Sequence, residues 1–502
     1  MSHSRRIGGV VVAGFLLGAL LPSPAAAHAI GGTFQLPVPL FLYLAGAAVA
    51  VAASFVVTVV VARRASPATY RLRPAASGLA SAARWTLRVL GLAWWYGAIV
   101  VALVIGDISQ LPGVLLWIGI WVGLPIAAAL IGNAWPSLSP FRTTFGALDW
   151  AARRFGASSL DLGVAYPSAV ARWPAVALLA AGVWAELILP ASAAATTVAM
   201  LLLGYTLLTI VGMIIFGQIA WLRNAELFEV ELGWLGRIGP IGRESVSAAL
   251  CDGCGEACDP NRCIDCPECA VAADDAERRS GFRWWILGLT DVARAGWSDA
   301  AFIILLLAGV TYDGLHETRF GAVLLETLLP PITSAFGVTL TAFLLVDTIA
   351  FGLVAGTFLG AFGIVRWLTR QLADGALSPA GVYASTLLPI AAGYLIAHYL
   401  TLVIQGVVWL PGLLADPLLS LAPELTWIPV SAVWYLSVAA IVGGHIAGVV
   451  LAHRLSLLDS PARATLAGLP MVALMIGYTI LSLWIIAQPI VVEPGVQPAA
   501  FR

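Results

Sequence analysis

Residues 38–62 read VPLFLYLAGAAVAVAASFVVTVVVA, a run of 25 uncharged residues that is followed directly by Arg63 and Arg64. A hydrocarbon core about 30 Å thick is crossed by about 20 apolar residues of a helix that rises 1.5 Å per residue. The apolar residues are continuous rather than alternating, which favours a helix over a strand of a membrane barrel. This stretch therefore predicts a transmembrane helix.

The rest of the chain repeats the pattern. Of its 502 residues 60% are hydrophobic and 11% charged, and the mean hydropathy is +0.93. Soluble domains are about half apolar and a quarter charged, so the composition excludes soluble globular proteins, disordered proteins and nucleic-acid binders. Ten spans are predicted, near residues 38–62, 89–106, 112–132, 173–190, 196–220, 298–312, 343–365, 382–406, 430–452 and 466–488. We therefore expect an all-α polytopic membrane helix bundle with a lipid bilayer as its surroundings.

Two further segments have a predicted place. Residues 1–27 are typical of a cleaved signal peptide, with Arg5 and Arg6 before an apolar stretch and three alanines at the end; an uncleaved first span is the alternative. Cleavage would expose His28, whose amine and imidazole together could chelate copper(II). Residues 320–341 are interrupted by two prolines, which favours a re-entrant or surface helix on the outer side over a span.

The arginines predict the orientation of the spans. All 26 basic residues are Arg, and with the mature N-terminus outside, 22 of them fall in the odd-numbered gaps between spans. Because Lys and Arg concentrate in cytoplasmic loops, this predicts a multi-pass protein of the cytoplasmic membrane with both mature termini outside. The predicted organisation is spans one to five in residues 28–220, a cytoplasmic loop in 221–297, spans six to ten in 298–488 and an external tail in 489–502.

The long loop contains a cysteine module, CDGCGEACDPNRCIDCPEC at residues 251–269. It holds all the cysteines of the chain: Cys251, Cys254, Cys258, Cys263, Cys266 and Cys269. Cytoplasmic thiols are kept reduced, which disfavours disulfides. Two Cys-x2-Cys pairs separated by eleven residues can present four thiolates to one tetrahedral ion. The module therefore predicts a structural zinc site, and an iron–sulfur cluster is the alternative.

Ionisable residues inside predicted spans are candidates for function, because charges in lipid are costly and usually face a partner or a cavity. Four qualify: Glu186, Asp347, His398 and His445. Just beyond the spans, Asp313 and His316 belong to an outer set of carboxylates and imidazoles that would attract cations. The competing interpretation is that outer loops are acidic by default, since arginines are sorted inside.

Haem bound between His398 and His445 is disfavoured. The two residues differ in predicted depth by roughly 10 Å at 1.5 Å per residue, whereas both axial ligands must lie at one depth.

Glycines at 352, 356 and 360, and at 444 and 448, have the four-residue spacing that lets helices pack closely.

Several motifs resemble a family of prokaryotic polytopic membrane proteins often described as fenitrothion hydrolases. They are HAIGGTFQLPVPLF from His28, Gly132-Asn133 with Trp135 and Pro140, Trp184-Ala185-Glu186-Leu187, Thr311-Tyr312-Asp313-Gly314, Ala397-His398-Tyr399-Leu400 with Gln405, and Gly444-His445 with Ala452-His453. The resemblance runs from about residue 28 to 453 and does not include the cysteine module. It implies a membrane hydrolase that acts on organophosphates.

Three functions are therefore compatible with the sequence. Transport or membrane-embedded handling of a cation or metal comes first, because buried acids serve it without a further cofactor. A metal-dependent hydrolase would use His398, Glu186 and outer carboxylates around an activated water. A redox protein would combine an iron–sulfur loop with haem. Gly-x-Ser-x-Gly, the Walker lysine motif and His-Glu-x-x-His do not occur in the sequence, so whether the protein is an enzyme stays open.

Overall fold

The computed structural model describes residues 34–35, 39–62, 72–74, 77–245, 263–265, 277–292 and 295–492. The predicted signal peptide, His28 and five of the six cysteines lie outside the described residues; Cys263 belongs to a two-residue strand. Within these ranges the chain is an all-α polytopic bundle, as the sequence predicts.

The helices are α1 (Leu40–Val61), α2 (Ser77–Ile105), α3 (Leu111–Leu130), α4 (Pro140–Arg154), α5 (Trp173–Leu187), α6 (Ala195–Phe216), α7 (Gln218–Asn224), α8 (Leu227–Gly236), α9 (Trp297–His316), α10 (Arg319–Phe336), α11 (Leu340–Leu372), α12 (Ala380–Ser385), α13 (Leu388–Ala415), α14 (Val430–Asp459) and α15 (Ala464–Ile490). The strands are β1 (Phe34–Gln35), β2 (Arg73–Pro74), β3 (Ile241–Ser245), β4 (Cys263–Ile264), β5 (Arg278–Phe282) and β6 (Val491–Val492). The four middle strands form an antiparallel sheet in the order β2-β5-β3-β4.

Within the described residues, ten helices fit as membrane spans. In the described part of the chain, nine helices are long and apolar enough to cross a membrane, and α5 is shorter. Strand β1 precedes the first span and β6 follows the last, yet they pair in parallel, Phe34 with Val491. Nine crossings would leave the two strands on opposite sides of the membrane, so α5 provides the tenth.

Contacts between distant loops lie at the two ends of the bundle. At one end, which we call the arginine-rich end, predicted cytoplasmic gaps meet: β2 pairs with β5, Arg172 with Asp299, and Ser378 with Asp459. At the other, the arginine-poor end, predicted outer gaps meet: Ser109 with Pro417, and Asp107 with Thr196. Each contact joins gaps, or the span ends next to them, that are assigned to the same side, in agreement with the predicted alternation. Which end faces the cytoplasm stays a prediction from the arginines.

Helices α7 and α8 fold back into the bundle. Gly217, with φ +82°, permits the reversal after α6, because a side chain is strained at positive φ. Helix α7 then packs against α6 so closely that a Cβ on Gly212 would lie 2.2 Å from the Trp221 ring. Nearly every residue of α8 is buried, which is typical of a helix surrounded by protein.

The tip of this hairpin reaches the middle of the membrane. The Phe228 ring lies 6.2 Å from that of Trp95, 6.5 Å from Trp121 and 5.6 Å from Tyr205. Each of these three residues is near the centre of its own span. Helices α7 and α8 therefore form a re-entrant hairpin. The sequence does not predict it, since a ten-residue apolar run is too short to count as a span.

The two glycine ladders, Gly444 with Gly448 on α14 and Gly352 with Gly356 and Gly360 on α11, differ in how closely they pack against other helices. A Cβ on Gly444 would lie 2.3 Å from the carbonyl oxygen of Pro389, so α14 packs closely on α13 as predicted. Around Gly352, Gly356 and Gly360 of α11, a Cβ would meet nothing within 4 Å in the described part of the chain. For this second ladder, close helix packing within the bundle is not observed.

Helix α10 occupies most of the segment that the sequence excludes as a span. It continues through Pro330 and Pro331, and Gly321 is its one buried residue in the described structure. An amphipathic helix with so little burial lies on the surface of the bundle, consistent with one of the two predicted alternatives.

Candidate functional site

The centre of the candidate site is a pair of side chains, the buried His398 of α13 and the largely buried Asp313 of α9. His398 Nε2 lies 2.9 Å from Asp313 Oδ2, and Tyr399 Oη donates to the same oxygen at 2.6 Å. The side chain of His398 is 1% exposed and that of Asp313 16%. Removing either partner would break this hydrogen bond inside the bundle, so the two residues depend on one another. Such a pair can hold and exchange a proton.

A glycine makes room for this pair. Gly314 follows Asp313, and a Cβ there would lie 2.7 Å from Tyr394 Oη and 3.4 Å from His398 Cε1. Tyr394 and His398 are four residues apart on α13 and therefore share a helix face. Tyr394 Oη is buried and has no hydrogen-bond partner among the described residues. The space beside Gly314 thus presents a tyrosine hydroxyl next to the acid–histidine pair.

Glu186 lies next to this centre. Its Oε2 accepts a hydrogen bond of 2.5 Å from Trp121 Nε1. Glu186 is close enough to Asp313 and to Glu231 for their charges to interact with its carboxyl group. Its own charge interacts with the hydroxyl group of Tyr399. Trp121 belongs to the part of α3 wound as a π-helix, a widening that is frequent at functional sites.

A second acid–histidine pair lies towards the arginine-poor end. His316 Nε2 is 3.3 Å from Asp347 Oδ1, and their side chains are 37% and 27% exposed. His316 is one turn beyond Asp313 on α9, and its charge acts on Asp313. The structure therefore brings together five of the predicted residues, Glu186, Asp313, His316, Asp347 and His398. They form a series that runs from a partly exposed pair to a buried one, which we call the acid–histidine series.

His445 does not join this series. It is fully buried, and its Nδ1 lies 2.8 Å from the carbonyl oxygen of Ile441 one turn earlier on α14. In the described part of the bundle it makes no hydrogen bond or ring contact with His398. The Nε2 of His398, moreover, faces Asp313. This arrangement gives no support to a haem held by the two histidines.

The re-entrant hairpin contributes acids that sequence reasoning missed. Glu226 caps α8 by accepting from the backbone N–H groups of Phe228 and Glu229. It also accepts from Tyr205 Oη at 2.5 Å and from Trp135 Nε1 at 3.0 Å. The run LFEVELGWLG, apolar apart from its two acids, was the available signal. Because this run lies in a segment predicted to be a loop, its acids were not identified as candidates.

Beyond the hairpin, a buried ion pair leads towards the arginine-rich end. Arg142 of α4 lies 3.3 Å from Glu229, with both side chains at most 7% exposed. Further along α4, Phe145, Asp149 and Arg153 line an open cavity of about 810 Å³. Asp149 is partly exposed, and the hydrogen bond from Arg153 holds the pKa of its carboxyl below the ordinary value, so it is ionised at neutral pH.

The predicted metal sites are not tested by these contacts. Five ligands of the cysteine module and His28 lie outside the described residues. Among the residues that the structure describes, no three His, Cys, Asp or Glu side chains are grouped so as to hold a metal ion. Zinc, with iron–sulfur as the alternative, stays a prediction.

Comparison of the chain with protein-family models, curated proteins and solved structures finds no match. Function is therefore inferred from the geometry of the site.

Proposed function

We propose that the protein conducts a cation across the cytoplasmic membrane through the acid–histidine series. The buried Asp313–His398 pair supports this proposal, because ionisable groups inside a span are costly and mark ion or proton pathways. Three carboxylates and two imidazoles in the series give a local charge that attracts cations. The graded exposure, from His316 and Asp347 to His398, provides an approach from the arginine-poor end.

The proposal includes the orientation of the protein in the membrane. We assign the arginine-rich end to the cytoplasm because arginines concentrate in cytoplasmic loops. The cysteine module would then fold around zinc on that side and stabilise a loop too small to form a core. Metal analysis of the purified full-length protein tests this assignment: we expect bound zinc and a colourless sample. A broad visible absorption band with bound iron would replace zinc by an iron–sulfur cluster.

Cation movement is measured with the full-length protein in liposomes. An internal pH-sensitive dye reports protons, and radioactive sodium reports a metal cation, after a membrane potential is imposed with potassium and valinomycin. The wild-type protein should move a cation faster than protein-free liposomes. Asp313→Asn keeps the side-chain shape but removes the charge, and we expect it to lower the flux to background.

Asp416→Asn is the matched control, since Asp416 lies exposed at the arginine-poor end and accepts from the backbone N–H of Leu418. It should leave the flux unchanged. Wild-type liposomes that move neither cation above background, or an Asp313→Asn variant with full flux, would overturn the proposal.

A hydrolase is the second candidate, because one observation favours it. Asp313 holds the His398 ring by a hydrogen bond, as an orienting carboxylate holds a general base in hydrolytic enzymes. With the sequence resemblance to fenitrothion hydrolases, this arrangement points to an organophosphate substrate. Release of nitrophenol by purified protein, lost in His398→Ala, would support this function. Absence of release from the wild-type protein would eliminate it for that substrate.

A further inference from the structure

Glu231 is a buried carboxyl group that the proposed pathway does not yet use. It lies on α8, is 3% exposed, and its Oε2 has no hydrogen-bond partner among the described residues. Its neighbours on the helix, Val230 and Leu232, are buried and apolar. An ionised carboxylate without a donor is disfavoured in such surroundings, so the site favours the protonated form.

Two further carboxyl groups lie close enough to Glu231 for their charges to interact with it, Glu226 and Glu186. Glu226 caps the start of the same helix, and α8 packs against α5, which carries Glu186. Glu226 itself is occupied by four hydrogen bonds, whereas Glu186 accepts one from Trp121. Of the two neighbouring carboxyls, Glu186 is thus the better placed to exchange a proton with Glu231.

Beyond Glu231, α8 ends at Gly236 and leads to strand β3, which belongs to the sheet at the arginine-rich end. Glu229, two residues before Glu231 on α8, is paired with Arg142. Arg142, Phe145, Asp149 and Arg153 follow one another at three- and four-residue intervals and so share one face of α4, which continues into the open cavity. The re-entrant hairpin therefore lies between the acid–histidine series and a cavity that opens at the opposite end.

We infer that Glu231 is a proton-binding site that passes protons between Glu186 and the cavity at the arginine-rich end. The inference rests on the proposed function and names the cation as a proton. A single carboxyl can bind a proton, whereas sodium or calcium needs several oxygen ligands around it. Each transfer moves one proton from one oxygen to the next acceptor, and no other bond is broken.

The test uses the same liposomes. Glu231→Gln keeps the size of the side chain but cannot release a proton, and we expect proton flux to fall to background as it does for Asp313→Asn. Glu231→Asp retains a carboxyl and should restore part of the flux. Glu326→Gln, which changes an exposed acid on α10, is the control and should conduct like wild type.

A second measurement does not depend on flux. Infrared spectra recorded across a pH titration should show the carbonyl band of a protonated buried carboxylic acid, and Glu231→Gln should lose it. Thermal unfolding in detergent checks that this variant is folded.

The outcomes separate the two proposals. Full proton flux in Glu231→Gln together with loss in Asp313→Asn would overturn the role of Glu231 and leave the pathway intact. Sodium flux without proton flux would overturn the proton as the cation. If the wild type moves neither cation, the pathway fails, and an unchanged infrared band in Glu231→Gln would also overturn proton binding at Glu231.

Discussion

Helices α1 and α9 are both spans, but they differ in how much of each helix is buried in protein. In the most apolar stretch of α1, 17% of the residues are buried in protein, against 94% in α9. Helix α9 has the lowest mean hydropathy of the nine long helices in the described chain, and it carries Asp299, Asp313 and His316. Of these two helices, the one surrounded by protein carries the charges, because partners there replace the missing water.

The polar residues of α1 behave in the opposite way. Ser54 and Thr58 donate to carbonyl oxygens of Val51 and Ser54, within their own helix. They need no neighbour and can face lipid. Hydropathy alone thus identifies a span, whereas the distribution of partners identifies the helix on which a site is built.

The packing of α9 can be tested by a substitution in its buried face. Phe302 is fully buried, and Phe302→Ala should lower the free energy of unfolding by about 4 kcal/mol through lost contacts and a cavity. Val60 of α1 is 59% exposed, so Val60→Ala should change it by less than about 0.5 kcal/mol. Unfolding of the full-length chain in detergent measures both. Equal losses would contradict the contrast between the two helices.

A smaller effect is expected at the start of α9, where Arg172 binds Asp299 at 2.5 Å. Arg172→Leu leaves a largely buried carboxylate without its partner and should cost about 3 kcal/mol in the same unfolding measurement. The control is Arg153→Leu, since the Arg153–Asp149 pair is exposed and contributes less than about 1 kcal/mol. A loss for Arg153→Leu as large as that for Arg172→Leu would show that burial does not set the strength of these pairs.

The smallest effect distinguishes two glycines. Gly314→Ala would place a Cβ 2.5 Å from Ile485 and 2.7 Å from Tyr394 Oη, so we expect destabilisation by about 2 kcal/mol and a displaced His398. Gly352→Ala meets open space on α11 and should stabilise the helix by up to about 1 kcal/mol. A destabilised Gly352→Ala variant would indicate that another molecule packs on this face.

Much of the fold could be predicted, because spans and their alternation follow from order along the chain. The runs at 38–62 and 196–220 correspond closely to α1 and α6. The re-entrant hairpin could not be predicted in this way: α8 is as apolar as a span but too short to be one. Its position depends on Gly217 and on the rings around Phe228, which come from other helices.

Most residues of the candidate site were predicted from the sequence, but the contacts between them were not. The cost of a charge in lipid singled out Glu186 and His398, but it also made a candidate of His445, which bonds to its own helix. It also missed Glu231, because a carboxyl in a predicted loop carries no such cost. Only the packing of α8 inside the bundle reveals that Glu231 is buried.

From the amino-acid sequence, ten spans and the assignment of the gaps to alternate sides can be predicted, since hydropathy and arginine counts depend on neighbours along the chain. The tertiary structure alone decided that Asp313 meets His398, 85 residues away, and that the hairpin enters the bundle. Such contacts depend on which helix faces touch, and the local pattern of residues along the chain does not specify this.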